Sequence, residues 1–318
     1  SGRRFMRVIM HIGTEKTGST ALQSCLFSNE PALKEAGYAL FRFSKDDPAQ
    51  IPNNRQIVAM FQDLEFWDDY FVQQGIKTAE GHAEFCAQVR SEFTGWLGAL
   101  PSHIHTVILT SEHFHSLLKN LDAVQALSEF FTPLFKDVRV VGYFREQGDM
   151  CRSFYTTRLL NGETRAFDTF AQECVPESHY YNHLRMFSLW GDTFGDDTLT
   201  ARIYDRKRLT GGDICTDFCA AISEITNQPI ELSSANATAL NQSLGPSRQK
   251  LLRRLNQTLP VGSRLRAYCL AILRRARFLD RSANAPATPE VYDKFDADNR
   301  AFAARFLGLE ENPFRGSD

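Results

Sequence analysis

The chain has 318 residues, 43% of them hydrophobic and 23% charged, with a formal net charge of −2 at pH 7. That is an ordinary globular composition, long enough for a sizeable core. It lacks the global basic field of a general nucleic-acid binder, although a local anion site is still allowed. No stretch reaches the roughly 20 apolar residues of a membrane span. The two N-terminal arginines precede no apolar run of the signal-peptide kind. Ser1-Gly2 reads as a cleavage scar from expression. Seven dispersed cysteines, from Cys25 to Cys269, argue against a disulfide framework and fit a reducing compartment. The expectation is therefore a soluble, cytoplasmic protein without a transmembrane segment, of unspecified oligomeric state.

In chain order, Val8–Ile12 is a short apolar run followed by a glycine-containing loop. A helix pattern follows through Ala21, Leu22, Cys25 and Leu26, with Pro31 expected to end it. Asp46–Asn54 is polar, carries two prolines and reads as a loop. Glu80–Leu97 shows helical periodicity, with an apolar face at Phe85, Val89, Phe93 and Leu97. Thr106–Thr110 and Val138–Phe144 read as buried strands, each ending in a polar cluster, and Thr198–Tyr204 as a fourth. Strands alternating with helices predict an α/β chain with a parallel sheet. Ligands of such sheets bind at the carboxyl ends of the strands. Beyond Gly211 the pattern turns helical, with arginine-rich segments at Pro246–Leu259 and Arg264–Phe278. Ser282–Pro289 reads as a linker before a last amphipathic helix. Cys215 and Cys219, four apart on a helix, read as core thiols rather than half a metal site.

Two short segments carry chemistry. The first is "HIGTEKTGST", His11–Thr20. It fails the Walker template because Lys16 precedes Gly18 instead of following it. A loop closing onto a helix N-terminus still offers unpaired amides and the positive end of the helix dipole, which is an anion site. Gly13 and Gly18 let the backbone approach an oxyanion, Ser19 and Thr20 add hydroxyls, and Lys16 adds a mobile charge. The second segment is "FREQGDMCRSFY", Phe144–Tyr155. It places Arg145 at a strand end and Ser153 eight residues on, a fork and a hydroxyl suited to a second phosphate.

Together these motifs resemble the sulfotransferase superfamily, which uses 3′-phosphoadenosine 5′-phosphosulfate (PAPS). In that family a PK-x-G-[ST]-T loop holds the 5′-phosphosulfate, and a strand-end arginine with a serine eight residues later holds the 3′-phosphate. Lys16, Thr17, Gly18, Ser19 and Thr20 match the first, with Glu15 in place of the usual proline. Arg145 and Ser153 match the second. "HLRMFSLWGDTFG", "ARIYDR" and "NQSLG" (Asn241–Gly245) are similar to bacterial carbohydrate sulfotransferases.

The resemblance implies a single domain over 1–318 with a P-loop-type central parallel sheet flanked by helices. Its nucleotide-binding core would span 7–210, with helical insertions, and its mainly helical C-terminal extension 211–318. It further implies PAPS as co-substrate, no required metal and no nucleic acid. The acceptor would be a hydroxyl on a glycan, a glycolipid or another glycoconjugate. Lys16 would stabilise charge on the leaving group. The base of heparan-type relatives falls on Ser24 here, beside Gln23; cytosolic relatives use a histidine at the end of the strand preceding the arginine–serine strand, a place that Ser111-Glu112-His113 occupies in this chain. Glu112 is the first candidate and His113 the second, with Glu15, His11 and His115 behind them.

The His179/His183 pair, four apart on an expected helix, reads as polar structure rather than a metal site. Trp67, Tyr70 and Phe71 are candidates for sugar stacking, and loops 43–80 and 156–185 for the acceptor cleft. The competing classes are a P-loop kinase or other nucleotide phosphotransferase, and a non-catalytic nucleotide-binding protein of the same fold.

Overall fold

The computed structural model describes residues 6–46, 50–51, 53–65, 67–233, 244–280 and 291–314. The linker expected at Ser282–Pro289, the Ser1-Gly2 pair, residues 47–49 and 52 of the polar loop, and residues 241–243 of "NQSLG" lie outside that set.

The first elements are β1 (Arg7–His11), α1 (Ser19–Ser28), α2 (Glu30–Glu35), β2 (Tyr38–Leu40), α3 (Arg55–Ala59), α4 (Asp69–Gln73) and α5 (Ala79–Ala99). Next come β3 (Thr106–Thr110), α6 (His113–Leu117), α7 (Leu121–Phe131), β4 (Asp137–Phe144), α8 (Gln147–Leu160), α9 (Phe167–Phe170), α10 (His183–Phe194) and β5 (Leu199–Ile203). The chain closes with α11 (Ile214–Thr226), α12 (Pro246–Thr258), α13 (Arg264–Arg275) and α14 (Tyr292–Phe306).

The strands form one sheet in the order β2-β3-β1-β4-β5, and every pair is parallel. Helices cover both faces, so the strands read as continuous apolar runs while their residues still alternate between two cores. Val8, Met10, Val107, Leu109 and Val140 point to one core, built on Phe85, Val89 and Phe93 of α5 with helices α7 and α10. Ile9, Ile108, Val141 and Tyr143 point to the other, where α1 and α11 pack. A third cluster lies around α8, where Met150, Tyr155 and Leu159 meet Leu252 of α12 and Phe295 of α14.

The structure corrects four expectations. β2 is an additional edge strand, only three residues long. Pro31 does not end a helix: α1 stops at Ser28, and Pro31 sits in the first turn of α2, where proline's missing N–H is tolerated. The helix expected up to Phe278 ends at Arg275 and gives way to a short 3₁₀ turn, Arg277–Asp280. Cys25 of α1 and Cys215 of α11, 190 positions apart, are joined as a disulfide with Cα atoms 6.3 Å apart. Cys215 is therefore not the core thiol that its spacing from Cys219 suggested. The other five cysteines are free.

Candidate active site

β1 ends in the middle of the sheet, between β3 and β4. The chain stays bonded to β4 beyond the strand. Ile12 N–H donates to the Val141 carbonyl (3.0 Å), Tyr143 N–H to the Gly13 carbonyl (2.7 Å), and Thr14 N–H to the Tyr143 carbonyl (2.8 Å). The backbone then turns sharply, with φ of +103° at Gly13, +67° at Lys16 and +80° at Gly18. Glycine is required twice over at two of these positions. A Cβ on Gly13 would stand 3.2 Å from the Glu112 Cα, and one on Gly18 would come 2.9 Å from the Tyr204 hydroxyl.

The loop delivers the chain to α1 without a side-chain cap. Among the described residues, the backbone N–H groups of Lys16, Thr17, Gly18, Ser19 and Thr20 make no hydrogen bond. These amides lie at the positive end of a ten-residue helix, a setting that favours an anion. The Thr17 hydroxyl is buried and donates to the Thr14 carbonyl (2.6 Å), with the Ser19 hydroxyl at 3.5 Å from the same oxygen. Both hydroxyls therefore shape the loop in this state.

Lys16 ties the loop to the second motif. Its Nζ donates to Thr157 Oγ1 of α8 at 2.7 Å, and its carbonyl accepts from Arg145 Nη1 at 3.2 Å. Burial pulls the Lys16 ammonium below its ordinary pKa, while Glu15 and Glu112 act in the opposite sense. Arg145 leaves the end of β4, lies 3.9 Å from Asp149 and has its guanidinium 5.9 Å from the Tyr204 ring centroid. On α8, Asp149, Ser153 and Thr157 recur every four residues and so share one face. Ser153 thus lies between the residue that faces Arg145 and the residue that receives Lys16.

The strand-end carboxylate falls beside the loop. Glu112 follows β3, is half-buried, and accepts a 2.8 Å hydrogen bond from Gln23 of α1. His113 opens α6, with Nδ1 3.8 Å from Glu15 Oε1. Glu15 also accepts from the Tyr180 hydroxyl (2.9 Å).

The other two histidines among the base candidates are buried. His11 is fully buried, bonds to Thr110 Oγ1 (2.9 Å), and is lowered by burial to a pKa of about 4. His115 is also buried, which carries its pKa well below the ordinary value. Its Nδ1 accepts from Glu15 N–H (3.2 Å) and its Nε2 donates to the Tyr180 carbonyl (2.9 Å), so both nitrogens are engaged.

His179 and His183 do not share a helix, because α10 begins at His183 and His179 lies in the turn before it. They bond to separate carbonyls, of His115 (2.8 Å) and Arg145 (2.7 Å). Of the aromatic candidates, Phe71 is fully buried in the core and Tyr70 packs against it, facing the Arg55 guanidinium at 4.7 Å. Trp67 alone of the three is exposed.

Four contributors were not singled out by sequence: Thr157, Tyr204, Gln23 and Tyr180. A threonine four residues after Ser153 was the one local signal, since it completes the helix face. Gln23 and Glu112 are 89 positions apart, and spacing could not join them.

Three solved structures with overall likeness to this chain are all sulfotransferases. The Alicyclobacillus acidocaldarius sulfotransferase is 12% identical with a TM-score of 0.40, over 86% of this chain and 100% of that one. The sulfotransferase domain of the Synechococcus PCC 7002 olefin synthase is 12% identical with a TM-score of 0.39, over 90% and 98%. The sulfotransferase domain from the curacin biosynthetic pathway is 11% identical with a TM-score of 0.41, over 98% and 100%. No family model and no curated protein matches the chain.

Proposed function

We propose that this chain transfers a sulfuryl group from PAPS to a hydroxyl acceptor on a carbohydrate or glycoconjugate. What supports it is the convergence through Lys16. One residue places its carbonyl on Arg145 and its ammonium on α8, so a loop suited to one anion and an arginine–serine pair suited to another share one edge of the sheet. The residues fit a nucleotide carrying two separated phosphate groups. The uncapped amides of residues 16–20 would receive the 5′-phosphosulfate, and Arg145 with Ser153 the 3′-phosphate.

Bound there, PAPS supplies an activated sulfuryl group on a phosphate leaving group. The chain's residues do the rest. Lys16 and the amides hold the charge that develops on the leaving 5′-phosphate as the S–O bond breaks. Glu112 takes the proton of the acceptor hydroxyl as its oxygen bonds to sulfur, and Gln23 keeps that carboxylate oriented. His113, close to Glu15, is the alternative proton acceptor. Trp67 offers an exposed ring for a sugar face. The chain acts as one unit, with 7–210 as the nucleotide core and 211–318 as its extension.

Calorimetric titration tests the nucleotide half. Adenosine 3′,5′-bisphosphate is expected to bind more tightly than 5′-AMP or ATP, and Arg145→Ala to weaken the bisphosphate about 10- to 100-fold. 5′-AMP affinity should stay unchanged. A preference for ATP with Mg²⁺, or indifference to the 3′-phosphate, overturns the proposal in favour of a phosphotransferase.

A further inference from the structure

α12 and α13 form a helical pair fastened to α8. Gln249 donates to Thr156 Oγ1 (2.9 Å), Asn256 to the Leu159 carbonyl (2.8 Å), and the buried Arg266 to the Leu160 carbonyl (2.8 Å). Leu255, Leu270 and Leu273 pack inward against the third cluster.

The outward side is different. Of eleven exposed large apolar side chains among the described residues, six lie here: Leu251, Val261, Leu265, Tyr268, Ile272 and Phe278. Leu265, Tyr268 and Ile272 follow i, i+3, i+7 spacing and form one stripe, with Tyr268 68% exposed. Exposed arginines, Arg264 and Arg275, flank it. Residues 246–280 hold nine arginines and lysines against one carboxylate, Asp280. That is a local charge of +8 in a chain that totals −2. Asp280 is itself paired with Arg248, so it does not face the outer cations.

We infer that the α12–α13 pair is a docking surface for an anionic lipid bilayer. Apolar side chains interleaved with arginines on a helix surface match an interfacial helix. The apolar face enters the boundary between headgroups and acyl chains while the guanidinium groups meet lipid phosphates. A second copy of the chain fits poorly, because two surfaces lined by the exposed cations Lys250, Arg254, Arg264, Arg274 and Arg275 would repel. This inference does not depend on the sulfotransferase proposal.

Vesicle co-sedimentation of the whole chain tests it. Vesicles mixing phosphatidylcholine with phosphatidylglycerol should bind the protein, vesicles of phosphatidylcholine alone should not, and raised salt should release it. Leu265→Ser/Tyr268→Ser/Ile272→Ser should lower partitioning at least about tenfold with an unchanged thermal melt. Should the triple variant misfold, Ile272→Ser and Arg264→Gln serve singly, the latter costing about fivefold. Three outcomes would overturn the inference. They are equal binding to both vesicle types, vesicle binding unaffected by folded stripe variants, and wild-type dimers that stripe variants convert to monomers. Retention on heparin without any binding to vesicles would also sink it, in favour of an acidic polymer.

Discussion

The carboxyl edge of the sheet and the α12–α13 pair both gather cations, but on opposite plans. At the sheet edge each charge has an address: Lys16 on Thr157, Arg145 on the Lys16 carbonyl and near Asp149, and Glu112 on Gln23. On the helical pair the outer arginines lie in solvent among apolar side chains. Directed, partly desolvated groups act individually and fail individually. Solvated charges act as a sum, and each is replaceable.

That contrast can be broken at four depths. The largest effect belongs to Glu112→Gln, which should lower kcat by about 10³ while leaving adenosine 3′,5′-bisphosphate affinity near wild type. A normal kcat would move the base to His113. Lys16→Ala should follow with about 10² in kcat, from the loss of one charge-stabilising donor. If its effect appeared only in KM, Lys16 would be a binding residue.

Acid is a third probe, aimed at the frame beneath the site. His183 holds the Arg145 carbonyl and His11 lies under the loop. Burial sets both near a pKa of about 4, against 6.5 for the free side chain. The unfolded chain therefore takes up protons first as pH falls below 6.5. Stability should drop between pH 6.5 and 4, by about 3 kcal/mol per residue. Denaturant melts across that window should show the slope, and His183→Gln should flatten it. The smallest effect is the fivefold change in vesicle partitioning expected of Arg264→Gln, with sheet-edge properties untouched. If that single change altered nucleotide binding instead, the two regions would not be separate.

Much of the sheet was legible because doubly covered parallel strands are unbroken apolar runs: Val8–Ile12, Thr106–Thr110 and Val138–Phe144 each mark a strand. β2 was not, since three residues are too few to establish a period. The loop and the Arg145–Ser153 pair were visible as local spacings. What joins them was not, because Lys16 and Thr157 are 141 positions apart and meet only after folding. Histidines misled for a related reason. Four-residue spacing suggested one helix for His179 and His183, but a turn intervenes and each ring satisfies a different carbonyl.

Lys16 sits at φ +67°, a left-handed conformation that glycine adopts freely and a lysine enters at a cost of about 1 kcal/mol. The chain keeps an ammonium where robustness alone would favour hydrogen. Selection for heat tolerance, applied without selection for turnover, would therefore drift toward glycine at this position. The resulting lineage would be sturdier, and it would lack the cation that the proposed transfer asks of this position.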